Sequence, residues 1–129
     1  GIQSAEGAMR NDWEFHYKSS SVLEATKKKI EHHHQRREWW SKEQQKAEEH
    51  LKKKGFEYRE RARSHGADIE IVGDPELARR LTYCQRKVEE HLKQEELYST
   101  WSRGLELKVE EESEEKLSLT IEDIQFFGL

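Results

Sequence analysis

A stripe at alternating steps of three and four runs along Leu23, Thr26, Ile30, His33, Arg37, Trp40, Gln44, Ala47 and Leu51. That is the period of a helix facing a partner along a coiled-coil seam, although Thr, His, Arg and Gln dilute the apolar positions. Val22, Ala25, Trp39 and Lys46 mark a second, weaker covered surface on its flank. Ser21 and Glu24 have capping-box spacing, and Gly55 after Lys52, Lys53 and Lys54 has the form of a helix stop, which predicts a helix over 21–54. Gly73-Asp74-Pro75 is the clearest punctuation in the chain, with Asp74 as N-cap and Pro75 at the first helical position. The second helix then runs over 75–103 to Gly104, with the stripe Leu77, Leu81, Cys84, Val88, His91 or Leu92, Glu95, Tyr98, Trp101.

Between the helices, residues 56–61 and 68–72 alternate apolar and polar around the turn residues Ser64 to Ala67, which predicts a β-hairpin. Asp12 to Tyr17 alternates in the same way and reads as a short extended arm. Leu105 to Val109 reads as a strand, Glu110 to Glu115 as an acidic turn or frayed segment, and Leu117 to Leu119 as a short extended piece. Thr120 with Asp123 three residues on caps a last helical turn. The terminal Ile121, Ile124, Phe126, Phe127 and Leu129 need a dock, either the open end of the helical hairpin or a second subunit.

The expected fold is mainly α: an antiparallel long-helix hairpin, a small β-hairpin, and a short C-terminal strand and helix. Each helix keeps a wide apolar face, so dimerisation into a four-helix bundle is the economical completion. Residues 12–129 are expected to form one domain with an acidic segment at 105–129, and 1–11 read as an expression remnant ahead of a natural start near Met9. The order helix, β-hairpin, helix is similar to that of prefoldin-type chaperone subunits. The resemblance is one of architecture alone: the helices here are shorter, and the aromatic arm and apolar C-terminus do not belong to that pattern.

Composition narrows the function. With 33% hydrophobic and 39% charged residues the chain is far from an average globular domain, but four Trp, four Tyr and four Phe argue against disorder. A net charge of −4 hides ten Lys/Arg against six Glu over 22–54 and two Lys against eight Asp/Glu over 104–129. An acidic chain gives nucleic-acid binding no support from net charge. Lys27, Lys28 and Lys29 splay around the helix between Glu24 and Glu31 and read as a solvated face, with a nucleic-acid or charged-partner surface kept as an alternative. The single Cys84 leaves no internal disulfide, and there is no apolar run of membrane length and no secretory signal, so no membrane role is expected and the chain reads as cytoplasmic.

Four sets of side chains carry candidate chemistry. His32, His33 and His34 point about 100° apart on a helix and cannot converge on one ion. Glu31-x-x-His34 has the spacing of di-iron bundles, and with Glu95 or His91 it makes a formal metal set drawn from two subunits, although Glu three before His is common in a helix this rich in both. His33, Arg37, Gln44 and Glu95 form a polar seam, read as a register-fixing pair or network in preference to an anion pocket. Arg37, Trp39 and Trp40, with Phe126 and Phe127 at the C-terminus, read as interface residues. Cys84 reads as a packed thiol, and no phosphate loop, nucleophile elbow, C-x-x-C or H-E-x-x-H motif is present. The expectation is a cofactor-free adaptor or regulator that homodimerises and works by protein contacts. A bundle binding a metal or small anion between its helices, and so an oxidoreductase, is the reading from another class.

Overall fold

The computed structural model describes residues 14–65, 74–111 and 116–129, and for 56–65 the backbone alone. The elements are β1 (Phe15–Lys18), α1 (Ser19–His65), α2 (Pro75–Glu111), β2 (Lys116–Leu119) and α3 (Ile121–Phe127). The protein is mainly helical, with two long helices that pack antiparallel, one small antiparallel sheet and a short C-terminal helix.

The sheet is not the one predicted. Residues 56–61 continue α1, and 68–72 lie outside the described residues. Gly55 costs about 1 kcal/mol relative to alanine inside a helix. Helix-forming Lys, Glu and Arg on both sides of it, and an intrahelical hydrogen bond for each residue added, outweigh that cost. The same holds at Gly104: α2 passes through it to Glu111, so the strand expected at Leu105 to Val109 is helical. Neither glycine takes a left-handed conformation. Among the described residues that is found at Gly128 alone, with φ 72°. Among the described residues the element order that resembled prefoldin subunits is not found.

The sheet pairs the two segments nearest the termini. β1 and β2 are antiparallel, with Phe15 opposite Leu119 and Tyr17 opposite Leu117. Strand alternation puts these four on one face and His16, Lys18, Lys116 and Ser118 on the other. Thr120 then caps α3 as expected: its hydroxyl accepts from the Asp123 N–H at 3.2 Å, and the Asp123 carboxylate accepts from the Thr120 N–H at 3.0 Å.

The chain divides into two compact units, Gly1–His33 with Lys93–Leu129, and His34–Leu92, and both long helices contribute to each. In the first unit Val22, Leu105, Leu119 and Phe127 form the core, with Tyr17, Leu23, Leu117, Ile124 and Phe126 packed around them. Burying a side chain such as that of Phe127 is worth roughly 1.5–3 kcal/mol. The apolar C-terminus thus docks within its own chain, the first of the two expected alternatives. In the second unit Trp40, Ala47 and Cys84 are buried. Asp74 caps α2 by accepting from the N–H groups of Glu76 and Leu77 at 3.0 and 3.2 Å.

Candidate functional site

The predicted α1 seam lies on the covered side of the helix. Thr26, Trp40 and Ala47 are buried, and Ile30, His33, Arg37, Gln44 and Leu51 are half-buried. Three of its polar members have hydrogen-bond partners within four residues. Thr26 donates to the Val22 carbonyl at 2.7 Å, and Gln44 donates to Glu48 at 3.1 Å. Arg37 donates to Nδ1 of His34 at 3.1 Å, while Nε2 of His34 lies 3.0 Å from Glu38. Both ring nitrogens of His34 are thus engaged within its own helix. Among the described residues no buried side-chain nitrogen or oxygen lacks a hydrogen-bond partner.

The histidine triplet fans out as helix geometry requires. In the first unit the His32 and His33 rings meet edge to face at 5.1 Å, and His33 stacks on Tyr98 at 5.8 Å. Tyr98 stacks in turn on Phe126 at 4.7 Å and donates its hydroxyl to the Phe126 carbonyl. Burial pushes the Tyr98 phenol above its ordinary pKa. Trp101 sits edge-on to Phe127 at 5.5 Å yet remains 47% exposed, and the α2 stripe passes through Ser102 instead. The first unit therefore takes up both interface candidates from the C-terminus: Phe127 is core and Phe126 is half-buried against Tyr98.

Of the formal metal set, Glu31 is exposed, His34 and His91 are half-buried, and Glu95 is buried. Within one chain, and among the described residues, no group of three or more His, Cys, Asp or Glu is placed to hold a metal ion. His34 would have to give up Arg37 or Glu38 to become a ligand.

The second unit gathers cations over aromatic faces. Arg36 lies 5.0 Å from the Trp39 ring and 5.9 Å from the Trp40 ring, and Arg80 from the other helix lies 5.3 Å from Trp40. Trp40 meets Tyr83 edge to face at 5.3 Å, and Arg86 and Lys87 lie 5.1 and 5.7 Å from Tyr83. Glu43 accepts from Lys46 at 3.3 Å and lies 3.6 Å from Arg80. Trp40 is the buried anchor, whereas Trp39 is 43% exposed beneath Arg36. Beside this cluster a groove of ≈ 340 Å³ is lined by Ala78, Arg79, Thr82, Tyr83 and Arg86. Sequence reasoning singled out Trp39 and Trp40 but missed Arg80, Tyr83 and Arg86. The signal was present in part: Arg36 to Trp39, Arg80 to Tyr83 and Tyr83 to Arg86 are all steps of three, which place side chains side by side on a helix.

Set against known protein families, curated proteins and solved structures, the chain finds no match.

Proposed function

We propose that the protein acts by protein–protein contact, as a homodimeric helical hairpin with an adaptor or regulatory role in the cytoplasm. The observation that carries this reading is the Arg36, Trp39, Trp40, Arg80, Tyr83, Arg86 cluster, in which a buried tryptophan anchors an exposed rim of tryptophan, tyrosine and arginine. Trp, Tyr and Arg are the residues that dominate binding hot spots, and cation–π contacts hold these in place before a partner arrives. Dimerisation covers the outward faces of the two helices and completes a bundle in the manner of a coiled coil. The absence of a membrane-crossing helix among the described residues agrees with this setting.

Sedimentation equilibrium of Trp39→Ala tests the proposal. Losing a hot-spot tryptophan costs roughly 2 kcal/mol or more of binding, so association should weaken by some 30-fold with helicity unchanged. A Trp39→Ala dimer as tight as the parent would contradict the reading. Trp40→Ala is the poorer probe, because removing a buried tryptophan costs about 3–5 kcal/mol of folding stability and confounds the two effects.

A further inference from the structure

Two surfaces on α2 have complementary chemistry. The first is the groove in the second unit, where Arg79, Thr82, Tyr83 and Arg86 follow one another at steps of three, one and three along a single helix face. Ala78 completes its lining, which thus combines an aromatic ring with two guanidiniums. Arg86 shares Glu90 with Lys87, at 3.7 and 3.2 Å, and no carboxylate among the described residues pairs with Arg79.

The second surface is the C-terminal end of α2 in the first unit. Leu107 is 58% exposed, the most exposed of the large apolar side chains there. Glu110 and Glu111 stand three and four residues on, which makes them its neighbours on the helix surface. Carboxylates at a helix C-terminus face the negative end of its dipole, an arrangement that costs stability unless a cation relieves it. Lys108 is the basic residue of that last turn, and it is engaged in an interaction of its own.

We infer that the Arg79–Tyr83–Arg86 groove receives the Leu107, Glu110, Glu111 face of a second copy of this chain. This rests on the homodimer reading above and names its contact. Both surfaces belong to α2, and the occupant proposed is the acidic face of another molecule. The leucine packs on the tyrosine ring and the two carboxylates meet the two guanidiniums. In a two-fold dimer each copy offers one groove and one acidic face, so the contact is made twice.

The test is a reciprocal charge exchange in the full chain. One variant carries Arg79→Glu and Arg86→Glu, the other Glu110→Arg and Glu111→Arg. All four positions are exposed, and circular dichroism confirms that each variant is folded. Alone, each variant opposes like charges at both contacts and should dissociate at least ~10-fold more readily than the parent. Mixed one to one, every groove meets an acceptable face, and heterodimers should form with near-parental affinity. Leu107→Asp should weaken the dimer in the same direction. Two results overturn the inference while sparing the homodimer: single variants that dimerise like the parent, or a mixture that fails to recover. A parent chain that stays monomeric at every concentration reached overturns the homodimer and this contact together.

Discussion

Asp74 brings two tasks together at one side chain. It caps α2, and its other oxygen accepts from Lys54 Nζ at 3.0 Å, tying the start of α2 to α1 within the second unit. The Lys54 hydrogen bond, followed by that from the Leu77 N–H, holds its carboxyl below the ordinary value of 3.8. The folded state therefore favours the ionised form, and the stabilisation is complete above pH 3.8 and lost as pH falls through the lower folded pKa. Asn is as good a cap as Asp but carries no charge for Lys54. Thermal melts should show Asp74→Asn less stable than the parent at pH 7, with the gap closing below about pH 4. A gap that stays constant with pH would show that the Lys54 contact contributes nothing.

At the scale of elements the three glycines of the long helices and the C-terminus behave differently, and their backbone conformations say why. A Cβ at Gly55 or Gly104 meets nothing within 4 Å, and neither residue has positive φ. Gly55→Ala and Gly104→Ala should each stabilise the protein by roughly 0.4–1 kcal/mol, because alanine restricts the unfolded chain without straining the helix. Were Gly55 a helix stop, as its sequence context suggested, the same change would destabilise. Gly128→Ala should destabilise: φ is 72°, and the new Cβ would lie 2.7 Å from Cε of Lys29. Chemical denaturation of the three variants checks both signs. The element pattern also shows what periodicity resolves. The stripes with steps of three and four were legible because long helices repeat them many times. The two four-residue strands were legible as extended segments, near 12–17 and 117–119, but their pairing was not. Residues 56–61 misled because alternating charges in a helix mimic a strand over so short a window.

For the whole molecule, the helical hairpin leaves much apolar surface uncovered: Trp39, Tyr83, Leu92, Leu97, Trp101 and Leu107 are all exposed. If a second copy covers part of it, folding and association are linked, and the melting temperature should rise with protein concentration. A tenfold concentration step adds about 1.4 kcal/mol to the stability of a dimer whose monomer does not persist. Melts at three concentrations check this, and a concentration-independent midpoint would place the stability within the single chain.

By itself the sequence determined the two long helices, their stripes, the cap at Asp74 and the capping box at Thr120, because these depend on neighbours within four residues. It also demoted the histidine triplet, since consecutive helical positions cannot share a face. Only the tertiary structure decided which short segments pair as strands, since Phe15 meets Leu119 across almost the entire chain. It alone brought Arg80 over Trp40 and stacked His33 on Tyr98. These contacts join residues far apart in sequence, and no local period carries that information. What separates the two sets is range: hydrogen bonds and caps within a few residues write themselves into the sequence, whereas packing between distant segments is settled by which apolar faces bury each other best.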